Sequence, residues 1–195
     1  MSSIKVGLRF RPILKKENSS NVQWGVNENL ITSRNSKYQF SFGKLQVLII
    51  FKAFKCISKI NLANTFDEDA SNDEIYKSLG QPIVQNFLEG YNGTILTFGQ
   101  TSSGKTYTMV GNQKTPGVIE MAIDDILEST SNGNYVLRVG YIEVYKEKIF
   151  DLLDEKKPEL KIYEQKGEAM TNQKQFEVVS KEDVMKYFHE GNQRK

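Results

Sequence analysis

The chain has 195 residues, with 26 basic and 24 acidic side chains, a formal charge of +2 and 11% aromatic residues. That length is a prior of about one domain with a real core, and the composition excludes a disordered tail and gives no basic field for a nucleic acid. One cysteine and one histidine exclude a disulfide framework and the ordinary zinc sites.

Met1–Lys5 lacks the apolar stretch of a signal peptide, so an intracellular protein is expected. Ile4, Val6, Leu8 and Phe10 alternate with polar residues or glycine, the period of a half-buried strand, and Pro12 ends it. A weaker strand is predicted at Leu30–Thr32 and another at Tyr38–Phe42. Residues 43–64 stand apart: they hold Lys44, Lys52, Lys55, Lys59 and Cys56 and no acid, and without them 22 basic residues face 24 acidic ones. Their apolar run Val47–Phe51 falls far short of the ~20 residues that span a bilayer, so no membrane is expected. A basic amphipathic helix and a buried segment both remain open for it.

Ser71 and Glu74 have capping-box spacing ahead of a helix through Ile75, Leu79, Ile83 and Phe87, kinked or broken at Pro82 and closed by Gly90. Thr94–Phe98 reads as a short buried strand. Thr115-Pro116 is expected to open a second helix with Ile119, Ala122, Ile126 and Leu127 on one face. Tyr135–Tyr145 reads as one long central strand, followed by Ile149–Leu153. Leu160–Tyr163 and Phe176–Val179 are predicted strands joined by a polar loop, and Ser180 starts a last helix that stops near Gly191. Strands alternating with helices predict an α/β fold.

Between strand and helix stands Gly99-Gln100-Thr101-Ser102-Ser103-Gly104-Lys105-Thr106, a full G-x-x-x-x-G-K-[ST] motif. Glycines let backbone N–H groups turn inward on an anion, the lysine reaches the β- and γ-phosphates, and the threonine hydroxyl binds Mg²⁺. A nucleotide with Mg²⁺ is therefore the expected ligand, and the resemblance that follows implies ATP. Gly111 and Pro116 predict that the following helix is short or broken.

Gly90-Tyr91-Asn92-Gly93-Thr94-Ile95 with Phe98–Met109 resembles the kinesin motor domain, whose phosphate loop is the G-Q-T-x-S-G-K-T variant. Arg9-x-Arg11-Pro12, Gly117-Val118-Ile119 and Tyr141–Tyr145 with Asp151-Leu152-Leu153 support the resemblance. Val136–Tyr145 and Gln23-Trp24 look most like the centromere-associated kinesins. The resemblance implies a three-layer P-loop NTPase architecture, truncated at its C-terminal side, with residues 1–195 as the N-terminal part of a motor domain. It implies that Arg9, Arg11 and Pro12 pack around adenine with Tyr107 beside it. It also implies a microtubule partner, a cytoplasmic and cytoskeletal location, and spindle or kinetochore for the subfamily. Lys161, Lys166 and Lys174 fall where kinesins place one flank of the tubulin contact, or else form a solvated loop. Tyr76 either approaches the base or sits in the core, and His189 is expected to be an exposed bystander.

Kinesins sense the γ-phosphate with N-x-x-S-S-R-S-H and D-L-A-G-S-E, and this sequence contains neither, nor any D-x-x-G. The expectation is an ATP-binding part of a microtubule motor that alone neither hydrolyses ATP productively nor moves, so no catalytic residue is assigned. Residues 43–64 form an atypical insertion, read as translated intron or as a genuine surface insertion. Two other classes stay open: a degenerate nucleotide- or partner-binding module, and a small-molecule kinase for which no acceptor site is evident.

Overall fold

Ile4–Phe10 forms β1, in agreement with its alternating pattern, in a computed structural model that describes residues 4–10, 12, 24–27, 30–33, 45–52, 61–131, 133, 135–165 and 167–195. The predicted strand at Tyr38–Phe42 lies outside these residues. The chain divides into two units, residues 1–126 and 127–195.

In the first unit, β2 (Trp24–Asn27) and β3 (Leu30–Ser33) form an antiparallel pair. Leu45–Lys52 is neither a helix nor a surface loop; it forms β4, and Asn61–Phe66 forms β5. With β6 (Gly93–Phe98) they make a sheet of order β5-β1-β4-β6. The β-branched and aromatic run Val47–Phe51 supplies β-propensity that its lysines do not interrupt. β4 is antiparallel to both β1 and β6, with Val6 opposite Ile49 and Ile49 opposite Leu96.

Helix α1 (Asn72–Ile75) begins where Ser71 Oγ accepts the Glu74 N–H, one half of the predicted box. The helix widens into a π-turn over Tyr76–Gly80 and resumes as α2 (Gln81–Leu88). The break thus precedes Pro82, because a proline near the start of α2 needs no N–H partner. At the far end, the Gly90 N–H bonds to Phe87 O and the Tyr91 N–H to Asn86 O, a Schellman closure with Gly90 at φ +92°.

These helices lie on the sheet through Phe66, Ala70, Ile75, Leu79 and Ile83, with Ile95 of β6 against them. The approach is close: a Cβ on Gly7 would stand 2.3 Å from Leu79 Cδ1. A second cluster joins Tyr76 and Val84 to Val118, with Met109 and Ala122 packed on it. Strand β6, the last of the row among the described residues, is less covered than predicted, with Leu96 and Phe98 exposed.

Helix α3 (Lys105–Val110) is six residues long. It stops at Gly111, whose φ of +78° and 2.2 Å approach of a built Cβ to Thr115 O admit only glycine. Thr115-Pro116 does not open the next helix; it forms β8, paired with β7 (Gly111–Asn112). Helix α4 (Val118–Thr130) then follows, with the predicted apolar face.

In the second unit the predicted long strand is two short ones, β9 (Leu137–Val139) and β10 (Ile142–Tyr145), on either side of Gly140-Tyr141. It is not central: Tyr135, Val136 and Val144 are all more than 60% exposed. The two halves turn to different partners, since β10 pairs with β11 (Lys148–Asp151) and β9 with β15 (Phe176–Val178). β12 (Glu159–Leu160) extends the β10–β11 ladder. The predicted polar loop instead holds a hairpin of β13 (Ile162–Gln165) and β14 (Glu168–Thr171).

Helix α5 (Lys181–Gln193) starts in a full capping box: Ser180 Oγ accepts the Asp183 N–H at 3.2 Å, and Asp183 Oδ2 accepts from Ser180 N–H. Ser180→Ala is expected to cost about 1 kcal/mol in a urea titration at neutral pH. The backbone N–H of Val179 first, and the Ser180 side chain second, hold the Asp183 carboxyl below its ordinary value. A depressed folded value means stability that is complete above the unfolded carboxylate pKa of about 4 and fades as pH falls through the folded one. Asp183→Asn is therefore expected to separate from the parent at neutral pH and to converge on it in acid.

Candidate functional site

Between β6 and α3 the backbone enters the left-handed region at Ser102, φ +66°, and again at Gly104, φ +102°. The Ser103 N–H closes a turn on Gln100 O at 3.2 Å, and the Thr108 N–H reaches back to Gly104 O at 3.0 Å. Lys105 Nζ donates to Gly99 O at 2.7 Å and to Gln100 O at 2.8 Å, so the ammonium is folded onto its own loop. Among the described residues no carboxylate pairs with it. An anion arriving here exchanges two neutral acceptors for charged ones, which hold an ammonium about twice as strongly.

Ser103 Oγ is wholly buried and has no partner among the described residues. A buried hydroxyl left unmatched costs about 1–3 kcal/mol, and here it sits inside the phosphate-loop motif. Gln100, Thr101, Ser102 and Thr106 are exposed, and Gly99 and Gly104 are half-buried. One cation, several hydroxyls and two left-handed turns fit a polyphosphate. For Mg²⁺ the loop offers the Thr106 hydroxyl, and phosphate and water supply an ion of this kind with its other ligands.

Arg9 is buried, on the strand face opposite Val6 and Leu8. Its Nη1 donates to Asn72 Oδ1 at 2.7 Å and to Thr108 Oγ1 at 2.6 Å, and its Nη2 to Ala70 O at 2.9 Å. The guanidinium carbon lies 5.2 Å from the centre of the Tyr107 ring. Burial lowers its pKa from the ordinary value and the neighbouring Tyr107 partly offsets this, yet a guanidinium stays charged. Of the expected base-pocket set, Arg9 and Tyr107 are together, Pro12 is exposed, and Arg11 lies outside the described residues. Asn72, which the sequence reading passed over, completes the cluster: its Nδ2 donates to Tyr107 O and to Pro116 O, each at 3.0 Å. Its only sequence signal was an amide at the first position of a helix, where apolar and acidic residues serve equally well.

Tyr76 is a core residue, 3% exposed, whose hydroxyl donates to Asp125 Oδ2 at 2.8 Å. Burial first, and the Asp125 carboxylate second, push its phenol well above the ordinary value. An apolar groove of about 320 Å³ between α2, β6 and α4 is lined by Ile83, Val84, Ile95, Val118, Ala122 and Ile126 among others. It contains no residue of the phosphate loop, and its lining carries no charge to hold an anion.

In the second unit Lys174 is ion-paired to Asp154 at 2.9 Å, and its N–H donates to Asp151 Oδ2 at 2.6 Å. Lys161 is exposed, and Lys166 lies outside the described residues. His189 is exposed, with a ring nitrogen 2.7 Å from Met185 O.

The sequence matches the family model described as the kinesin motor domain over residues 9–195. It is 31% identical, over 98% of its length, to kinesin-related protein 4 of Dictyostelium discoideum, and 29% identical over its whole length to kinesin-like protein KIN-8A of Arabidopsis thaliana. It is 32% identical over 77% of its length to centromere-associated protein E of Homo sapiens. The chain spans 10%, 27% and 5% of those three proteins.

Proposed function

The chain belongs to the kinesin motor-domain family, and from that premise we propose that it binds Mg-ATP in the Gly99–Thr106 loop as the nucleotide-binding part of a microtubule motor. The observation that carries this reading is Lys105 Nζ resting on the carbonyls of Gly99 and Gln100, a cation held in the motif, among the described residues, by neutral groups alone. Lys105 neutralises the β- and γ-phosphates, the loop backbone cradles them, and Thr106 holds the metal. Bound Mg²⁺ supplies charge neutralisation across the phosphates. Arg9, Arg11, Pro12 and Tyr107 form the wall for the base.

In the same reading the domain is a three-layer P-loop NTPase. The 195 residues contain no D-x-x-G and no N-x-x-S-S-R-S-H, so by themselves they bind nucleotide without productive turnover or movement. Lys161, Lys166 and Lys174 form one flank of the microtubule contact, and the cytoskeleton is the location. The similarity to centromere-associated protein E motivates a kinetochore or spindle role. Residues 43–64 are an insertion into the motor-domain frame. Sequencing the native transcript across codons 42–65 tests whether they are retained intron.

Titration of the purified chain with Mg-ATP is expected to give saturable one-site binding with a Kd of about 1 mM or tighter. Absence of binding at that concentration would overturn the proposal.

A further inference from the structure

Asn72 is fully buried, and its side chain makes three hydrogen bonds, through both amide hydrogens and the oxygen, to groups far away in the sequence. Its two amide hydrogens go to Tyr107 O and Pro116 O, the carbonyls on either side of the turn that ends α3. Its oxygen accepts from Arg9, the cation that lies 5.2 Å from the Tyr107 ring. Burying a primary amide costs free energy unless its N–H and C=O groups find partners, so a residue in this position is worth keeping only for the bonds it makes. An apolar side chain would serve the first turn of α1 as well.

The arrangement converges on Tyr107. Its carbonyl is held by Asn72 and also accepts the Gly111 N–H. Its ring is held by Arg9, which Asn72 and Thr108 hold in turn. That ring follows Thr106 directly and is 39% exposed. One buried amide therefore fixes both the backbone and the cation behind an exposed aromatic ring at the exit of the phosphate loop. A planar base gains affinity by stacking on such a ring, provided the ring is already in place.

We propose that Asn72 is a positioning residue of the nucleotide site, holding the Tyr107 ring as the surface on which the base stacks. The assignment rests on the nucleotide reading above. It separates two parts of the ligand: Asn72 governs what the base adds and leaves the phosphates to Lys105 and Thr106.

The test compares Mg-ATP with Mg-tripolyphosphate, which has the phosphates and no base, by titration calorimetry on the full chain. Asn72→Asp keeps an acceptor for Arg9 and loses both donors to the turn. It is expected to weaken Mg-ATP roughly tenfold, within the range of base–aromatic stacking, and to leave tripolyphosphate within about twofold. In a Tyr107→Ala background the same change is expected to cost no further ATP affinity, since contacting residues couple. Should the aspartate variant not fold, Asn72→Ser, which keeps an acceptor and drops the paired donors, reads the same ratio. Equal losses for both ligands, or additive effects of the Asn72 and Tyr107 changes, would overturn the assignment while leaving nucleotide binding intact. A parent chain that binds neither ligand would overturn the nucleotide reading itself, and the assignment with it.

Discussion

Lys105→Ala is expected to weaken Mg-ATP binding by about 100-fold or more, close to 2.7 kcal/mol, while leaving the thermal midpoint within a few degrees of the parent. Affinity should fall because Lys105 is the only charged side chain between Gly99 and Thr106. Hydrogen bonds from an ammonium to phosphate oxygens contribute about 1.5–3 kcal/mol each. Against this stands the loss of its bonds to Gly99 O and Gln100 O when nucleotide enters. Those acceptors are neutral, so the exchange still favours phosphate.

Stability should hold for a different reason. Lys105 is half-buried rather than core, and Gln100 beside it is exposed. Water can therefore take over both carbonyls once the side chain is gone. Lys105→Arg is no remedy, because a planar fork cannot stand in for a compact ammonium in a loop this tight. Calorimetry with a parallel thermal melt decides the matter. Binding within about threefold of the parent would remove Lys105 from the site, by the convention that a tenfold change is 1.4 kcal/mol.

The parts of this molecule that were legible in the sequence are those where the signal is local. The Gly90 closure needs only a glycine after a helical stripe, and its two bonds span three and five residues. The Ser180 box spans three, and the left-handed turns at Ser102 and Gly104 lie within one motif of eight consecutive residues. What escaped is non-local. Asn72 meets partners 63, 35 and 44 residues away, and nothing near it in the chain distinguishes it from a solvated amide.

Arg9 alternates with Val6 and Leu8, the mark of a solvent-facing position, yet it is buried by acceptors contributed from Ala70, Asn72 and Thr108. The run Tyr135–Tyr145 has the propensity of one central strand, but propensity does not choose partners, and Gly140 lets its halves pair separately. Val47–Phe51 shows the same limit. Five apolar residues can be buried helix or strand, and only pairing with Ile4–Phe10 and Gly93–Phe98 makes them a strand.

The 195-residue polypeptide is expected to bind Mg-ATP and, with microtubules added, to show no turnover above background. On the proposed reading the loop's contacts hold the phosphates before and during reaction alike, and uniform binding of that kind lowers Kd without accelerating chemistry. Acceleration of phosphoryl transfer comes from groups that orient the attacking water and meet the charge of the transition state, and a single such group contributes about 10³–10⁵ in rate. Candidates for those roles among the described residues are poor. Arg9 has its guanidinium committed to three protein acceptors, and Tyr76 is committed to Asp125. His189 is exposed, with a ring nitrogen against Met185 O. Thr106 can hold one face of a magnesium ion, but no D-x-x-G supplies a carboxylate for the other. A phosphate-release assay with and without microtubules, alongside the binding titration, separates affinity from rate. Turnover of about 1 per second or faster would show that residues within these 195 complete the catalytic set, and Lys105→Ala would then be expected to abolish it.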